Sequence, residues 1–468
     1  MFEDAIRELQ DILESRRWVA ELAGILPLSA LIDFLDIAPK LHIMQLSSAC
    51  PLWSWPITPA GARFLLNNQP ESQGCYLDRY GNSTSLLGFD GRYGDHYYLS
   101  SPQTIRFCIS AYPSLPIENT CVTMKGENLR IQNLQVIHIA RRPRRQHFPA
   151  PLQLPEVFRT QSRLYTATSI LGWILLLAMV AMNIILETYV ALAFAVLMPI
   201  TGLFVFAIHG RSPRHLLVDK ESLYNRLILV TEHANSTDWF VFYGESTILN
   251  SILNRPLEPR KLTMSAPNWF LRIALRLCIL GQWGLALGAA ALKDWNAYFL
   301  SAWVAFCIFV HAYLIPIEEE SKEWLERIAE VQMTRYQTQL SSRRALINAV
   351  VALNPDTFCH PTGALQEDRS QFDRGAMRWV DAVLEAGPSR TKWEEATLAA
   401  MNETMGKVEM HTGERGAQFS ESLLSPQWDR EFGHYYWKTG IIEGLYMAEK
   451  IKLEANLSGR LVPQVVGI

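Results

Sequence analysis

The chain has 468 residues, enough for two or three domains. Its 43 Lys and Arg residues nearly balance 46 Asp and Glu residues, so the net charge of -3 offers no field that would attract nucleic acid, and no nucleic-acid partner is expected. Hydrophobic residues make up 49% of the chain and charged residues only 19%, below the roughly 25% of soluble domains, which favours a membrane protein.

Residues 1–150 predict a small cytosolic region that contains both helices and strands. The start of the chain indicates an amphipathic helix, with Ile6, Leu9, Ile12 and Leu13 on one face, and lacks the pattern of a secretory signal. Residues 75–112 and 129–142 alternate apolar and polar positions between turn signals, which predicts strands. A basic, proline-rich linker is assigned to residues 151–163.

Four long apolar runs predict four membrane-spanning helices in two hairpins. The first hairpin covers residues 164–210, with runs at 164–186 and 189–210, and the second covers residues 269–317, with runs at 273–293 and 295–317. Each run reaches the length of about 20 residues that a helix needs to cross a bilayer. The alternative interpretation is a set of buried core helices.

The orientation follows from the positive charges beside these runs. Lys and Arg residues are frequent before the first hairpin and in the segment between the hairpins, whereas the two tight turns contain only Lys293. Because positive charges favour the cytosolic side, both termini and the central segment are predicted to be cytosolic. The sequons at Asn82, Asn235, Asn402 and Asn456 are then expected to be unmodified.

The central segment, residues 211–268, predicts an amphipathic helix at the membrane surface or against another domain. Its apolar residues recur at helical spacing, and Thr237 or Asp238 is suited to cap the helix. Those apolar residues are Trp239, Phe240, Tyr243, Ile248, Leu249, Ile252 and Leu253.

Residues 318–468 predict a cytosolic helical region. An apolar stripe continues from the fourth run and ends at Asn354, before Pro355, so we expect one long helix there. The stripe consists of Trp324, Ile328, Val331, Leu346, Val350 and Leu353. The predicted fold class is therefore a polytopic α-helical membrane protein with a small α+β N-terminal region and a helical C-terminal region.

No phosphate-binding glycine loop or metalloprotease or serine-hydrolase motif occurs in the chain. The candidates for catalysis are His233, Asp238 and Glu245, together with Tyr243, because they combine a base, an acid and an orienting group in one short segment. The competing interpretation is the polar face of an amphipathic helix.

Two further groups of residues are candidate sites. Asp90, Asp95 and His96 offer metal-ligand chemistry, but turn-forming aspartates are the preferred interpretation. His311 lies inside the fourth run, where it is either functional or a neutral partner of a neighbouring helix. The seven cysteines contain no CxxC pair, so reduced thiols are predicted, and no metal or cofactor is expected.

The segments DWFVFYGESTILNSILNRPL, ALNPDTF, RWVDAVLEAG and YYWKTGIIEGLYMAEKI resemble a class of uncharacterised multi-spanning proteins of filamentous fungi. The resemblance covers the central segment and the C-terminal half. It implies a fungal origin and carries over no catalytic residues.

The leading functional hypothesis is a non-catalytic scaffold, with the bilayer as one partner and a protein or lipid bound through aromatic-rich cytosolic surfaces. The alternative is a membrane-embedded enzyme that acts on a hydrophobic substrate in an auxiliary step of fungal specialised metabolism. A transporter or channel subunit is the third hypothesis. A homo-oligomer is a possible assembly under each of these hypotheses.

Overall fold

The computed structural model describes residues 2–29, 37–49, 52–55, 62, 65, 74–80, 84–121, 130–142, 163–217, 221–222, 224–259, 268–314, 316–357, 374–404, 424–433 and 437–457. The predicted linker lies outside these residues except for Arg163, as do the sequon Asn82 and the cysteines Cys50 and Cys359. No disulfide bond joins any of the five described cysteines.

The α-helices in chain order are α1 (Phe2–Ser15), α2 (Arg17–Ser29), α3 (Ile37–Ser47), α4 (Tyr76–Tyr80), α5 (Pro102–Ser110), α6 (Arg163–Ile185), α7 (Tyr189–Val205), α8 (Ser246–Leu253), α9 (Asn268–Leu292), α10 (Trp295–Phe309), α11 (Ile317–Glu323), α12 (Arg343–Leu353), α13 (Pro388–Thr404), α14 (Pro426–Phe432) and α15 (Lys438–Glu454). Single π-helical turns extend α7 at Phe206–Gly210, α10 at Val310–Leu314 and α11 at Trp324–Ile328, and a 3-10 helix covers Arg374–Ala382.

The strands are β1 (Leu87–Asp90), β2 (His96–Tyr98), β3 (Ser114–Pro116), β4 (Gln132–Arg141), β5 (Arg214–His215), β6 (Asn225–Thr231), β7 (Asp238–Glu245), β8 (Glu258–Pro259) and β9 (Val331–Leu340). Helices and strands thus both occur before residue 142, in agreement with the predicted α+β content. The described residues form two compact units, each assembled from three separate stretches of chain.

Unit 1 consists of residues 1–81, 144–215 and 257–330. It contains four helices that are long and apolar enough to cross a membrane, at Tyr165–Ile185, Tyr189–Gly210, Trp269–Leu292 and Trp295–Leu314. These ranges confirm the four predicted runs. At most 44% of the most apolar window of any of them is buried, and side chains such as Leu177 and Leu277 are more than 60% exposed. An apolar surface of this kind suits a lipid environment.

Two tight turns close the hairpins of unit 1. Glu187 and Lys293 adopt positive φ angles of 56° and 53° there. Asp294 caps α10 by accepting the Asn296 N–H at 3.0 Å. Asn296 in turn accepts the N–H groups of Val190 and Ala191 at 3.0 Å, so the first turn of α7 is held against α10.

The glycines of α9 differ in how closely other helices approach them. A Cβ atom at Gly284 or Gly288 would meet nothing within 4 Å, whereas one at Gly281 would lie 2.9 Å from the Leu197 side chain. Only Gly281 therefore marks a close approach between α9 and α7.

Unit 2 consists of residues 82–143, 216–256 and 331–468. Its centre is a seven-stranded mixed sheet in the order β2-β1-β6-β7-β4-β9-β3. β7 pairs antiparallel with β6 and parallel with β4, and β4 pairs antiparallel with β9 along its whole length. Trp239, Val241 and Tyr243 point from β7 into a core that also contains α12, α13 and α15.

Two predictions of helical structure are wrong in part. The segment from Asp238 to Glu245 is a strand, and the helix begins only at Ser246. The helical turns after the fourth run end at Ile328, and the strand β9 precedes α12. The apolar pattern of β7 reflects burial on both faces of a strand, and that of β9 reflects pairing with a distant strand. Apolar residues at helical spacing alone cannot distinguish such strands from a helix.

Candidate functional site

The three predicted catalytic residues lie along one hairpin of unit 2. His233 is exposed in the turn between β6 and β7, and Asp238 is exposed at the first position of β7. Glu245 is the last residue of the same strand. Seven steps of about 3.3 Å separate Asp238 from Glu245, or roughly 23 Å along the strand. The structure therefore brings His233 and Asp238 to one end of the hairpin and places Glu245 at the other.

Glu245 is buried and already occupied by donors. Arg141 donates from Nε at 3.2 Å and from Nη2 at 2.9 Å, and the Ser222 N–H donates at 2.8 Å. The Thr247 hydroxyl donates at 2.5 Å. Burial raises the pKa of the Glu245 carboxyl, but these donors outweigh burial and the net pKa is lowered. The Glu245 carboxylate therefore links β4, β7 and the start of α8 through its hydrogen bonds. Its lowered pKa makes it a weak proton acceptor.

The other polar groups of β7 also have partners. Asp238 accepts from the Asn133 amide at 2.9 Å and from the Thr237 hydroxyl at 3.0 Å. The Tyr243 hydroxyl donates to the Leu457 carbonyl at 3.1 Å, and burial raises its pKa. These contacts hold the strand in its place in the sheet.

The residues weighed as a metal site at the β1–β2 turn have separate roles. Asp90 is buried and pairs with Arg226, whose Nε donates to Oδ1 at 3.0 Å, and it also accepts the Arg92 N–H at 2.9 Å. Asp95 and His96 are exposed. The turn-forming role preferred for Asp90 agrees with these contacts.

Asp356 lies near the ion pair of Asp90 and Arg226, and its own ion-pair partner, Arg92, is distant. Its Oδ1 is 3.8 Å from Arg92 Nε, and among the described residues its buried Oδ2 has no hydrogen-bond partner. Burial raises the pKa of the Asp356 carboxyl from 3.8 to about 6. The Asp90 charge adds to this shift, while Arg92 and Arg226 oppose it.

Sequence reasoning missed one cluster in unit 1 with the spacing of metal ligands. Ligand atoms of His42, Cys75 and Asp78 lie within 4.8 Å of one another. The spacing of Cys75 and Asp78, three residues apart at the start of α4, was the available signal. However, His42 Nδ1 accepts the Leu77 N–H at 3.1 Å, whereas a ligating imidazole normally donates from its second nitrogen. Burial, with Arg79 and Arg214 nearby, lowers the His42 pKa to about 3. These neighbouring cations oppose a metal ion.

His311 is buried in unit 1, and its Nε2 donates to the Ser54 carbonyl at 2.7 Å. The Lys40 ammonium donates to the His311 carbonyl at 2.7 Å. Both side chains border a cavity of about 10 Å³ with Glu320, which is room for one water molecule and too little for a substrate. Burial lowers the pKa of Lys40 to about 8 and raises that of Glu320 to about 7.

A larger opening in unit 2 is lined by positive and neutral polar side chains. This cleft of about 220 Å³, called the arginine cleft below, lies between the start of β4, the β6–β7 turn and the start of α12. No carboxylate is among the described residues that line it, which are Arg130, Gln132, Asn235, Ser236, Ser342, Arg343 and Arg344.

The Arg343 side chain is held in the arginine cleft by three contacts. Its Nη1 donates to Asn235 Oδ1 at 3.1 Å and its Nη2 to the Val383 carbonyl at 3.4 Å. The guanidinium also lies over the Trp239 ring, 5.8 Å from the centroid. Burial and the positive charge of Arg130 lower the Arg343 pKa. The cleft therefore contains several positive charges, and the contacts of Arg343 fix the position of its guanidinium.

Comparison with known proteins adds no relative: no family model, no curated protein and no solved structure matches this chain. The resemblance to fungal multi-spanning proteins accordingly stays a prediction.

Proposed function

We propose that the chain is a multi-pass membrane protein that works by binding rather than by catalysis. Unit 1 is anchored in the bilayer by the four apolar helices, and unit 2 lies in the cytosol together with both termini. The exposed leucines of the apolar helices support the anchoring, and the basic residues that flank the helices support the orientation.

The binding role is supported by a contrast in unit 2 between carboxylates that already have hydrogen-bond partners and a cleft that is lined by arginines. The carboxylate of Glu245 is saturated by donors, and Asp238 lies about 23 Å away along the strand. By contrast, the arginine cleft is open and contains cations without an acid among its lining residues. A site with fixed cations and no acid–base pair recognises a ligand more readily than it transforms one.

Mass spectrometry of a lipid and metabolite extract, incubated with the full chain in nanodiscs, tests this proposal. We expect one or more compounds to be retained by the protein and recovered unchanged. Turnover of any compound that is lost in an Asp238→Asn or His233→Gln variant would contradict the proposal and support the enzyme hypothesis.

A further inference from the structure

The arginine cleft combines three features that together specify the chemistry of a ligand. The first is positive charge, because Arg130 and Arg343 line the cleft and no acid is among its described lining residues. Arg130 and Arg343 are close enough for the charge of one to affect the other. An anion between two guanidinium groups attracts both and so offsets the repulsion between them.

The second feature is preorganisation. Arg343 is fixed by Asn235, by the Val383 carbonyl and by the Trp239 ring, and none of these contacts neutralises its charge. A guanidinium has five N–H donors in a planar fork. The described contacts use one donor on each terminal nitrogen, so donors remain for an oxyanion. Phosphate oxygens match this fork geometry.

The third feature is the N-terminus of α12. The helix has 11 residues and starts at Arg343, and the Ser342 hydroxyl caps it by accepting the Ala345 N–H at 3.3 Å. Because Ser342, Arg343 and Arg344 at the start of the helix line the cleft, the positive end of the helix dipole lies at the cleft. Helix N-termini and arginines are the usual partners of phosphoryl groups.

We infer that the arginine cleft binds the phosphoryl group of a small phosphorylated ligand, an inference that rests on the proposed binding function and specifies the ligand's chemistry. The volume of about 220 Å³ is below the roughly 300–1,000 Å³ of sites for drug-sized molecules. It fits a phosphate ester or a phosphorylated lipid headgroup. Arg130 and Arg343 hold the phosphoryl oxygens, and Asn235 and Trp239 keep Arg343 in position.

The test uses the full chain in phosphatidylcholine nanodiscs, titrated with inorganic pyrophosphate and with inositol trisphosphate while binding is measured by calorimetry. Binding to vesicles of phosphatidylcholine, with and without phosphatidylinositol bisphosphate, is measured in parallel. Saturable binding of a soluble probe assigns the site to a free phosphate ester, and binding only to the phosphoinositide vesicles assigns it to a lipid headgroup. Either result supports the inference.

Variants connect the binding to the cleft. Arg130→Gln changes an exposed side chain and should weaken binding by about tenfold or more without affecting folding, and Arg343→Gln should weaken it further. Arg130→Lys keeps the charge and should bind with intermediate affinity. Arg255→Gln, at an exposed arginine elsewhere in unit 2, should bind like the unchanged protein.

Absence of saturable binding to every probe, or equal affinity of the Arg130→Gln and unchanged proteins, would overturn the inference. If that happens while the protein still retains another compound unchanged, the proposed binding function survives alone. Conversely, if a phosphate ester is bound in the cleft and then hydrolysed, the phosphoryl site stands and the non-catalytic function fails.

Discussion

At the scale of single residues, the buried carboxylates of unit 2 differ in how many hydrogen-bond donors and cations stabilise their charge. Glu245 has four donors, and Asp90 pairs with Arg226 through two guanidinium nitrogens. Asp356 has only a distant arginine and a buried oxygen without a donor among the described residues. Removing a carboxylate should therefore have opposite effects at Glu245 and at Asp356.

Glu245→Gln should destabilise the protein by about 2 kcal/mol. The change removes the charge that Arg141, Ser222 and Thr247 stabilise, and hydrogen bonds to buried charges contribute roughly 1.5–3 kcal/mol each. The loss stays below the full cost of an orphaned buried charge because Arg141 is 37% exposed and can be hydrated.

Asp238→Asn is the matched control for Glu245→Gln, since Asp238 is exposed on the same strand. Its effect should stay within about 0.5 kcal/mol. Chemical unfolding of the detergent-purified proteins measures both values. Equal free energies of unfolding for the two variants would show that the Glu245 carboxylate does not stabilise the fold.

Asp356→Asn should stabilise the protein at pH 7 by about 1 to 3 kcal/mol. The pKa of Asp356 is raised in the folded chain to about 6, so the folded chain binds the proton more tightly than the unfolded chain does. This contribution to stability is complete below the unfolded pKa of about 3.8 and is lost as the pH rises through about 6.

The measurement for Asp356 is the free energy of unfolding of both proteins between pH 4 and pH 8. The difference in favour of the variant should grow from about pH 4 to about pH 6 and then level off. A difference that is independent of pH, or a variant that is less stable at pH 7, would contradict the assignment.

At the scale of elements, β7 and β9 show where helical spacing misleads. β7 lies between β6 and β4 in the sheet, and most of its residues are buried on both faces. Its apolar run therefore lacks the alternation of a half-buried strand. β9 pairs with β4, which lies about 200 residues earlier in the chain, as the pair Ile137 and Arg335 shows. Such pairing leaves no local signal, whereas the long apolar runs of the four apolar helices are local and their ends are predicted to within four residues.

The same reasoning applies to the sites. Sequence proximity suggested a catalytic group in His233, Asp238 and Glu245, but an extended strand separates residues that a helix would bring together. The arginine cleft escaped sequence reasoning because Arg130, Asn235 and Arg343 come from three distant stretches of chain. Only the sheet topology brings them together.

The parallel pairing of β4 with β7 can be tested at Gly244. Gly244 is opposite Ile139, and a Cβ atom on Gly244 would overlap the Ile139 carbonyl oxygen. Since this neighbour is backbone, the strands would have to move apart, so Gly244→Ala should cost about 1–3 kcal/mol.

Gly284→Ala is a suitable control for Gly244→Ala, because an added Cβ atom there would meet nothing within 4 Å. That variant should be as stable as the unchanged protein or slightly more stable, since alanine favours helix. Thermal unfolding in detergent measures both. A Gly244→Ala protein with unchanged stability would exclude the close approach of β4 and β7.

At the scale of the whole molecule, the chain alternates between its two units. Unit 2 takes residues 82–143, 216–256 and 331–468, and each hairpin of apolar helices lies between two of these stretches. The predicted N-terminal region of residues 1–150 is accordingly divided, with residues 1–81 in unit 1. Under the proposed topology each hairpin returns the chain to the side from which it entered, so the proposal places all three stretches of unit 2 on one side of the bilayer.

The most direct test of this account is protease protection in sealed microsomes whose cytosolic face is outward, combined with alkaline carbonate extraction. We predict that the chain stays in the membrane pellet, that external protease digests unit 2, and that Asn235, Asn402 and Asn456 carry no endoglycosidase-sensitive sugar. Release of the chain by carbonate, protection of unit 2, or sugar on any of these asparagines would contradict the proposed membrane protein with a cytosolic binding unit.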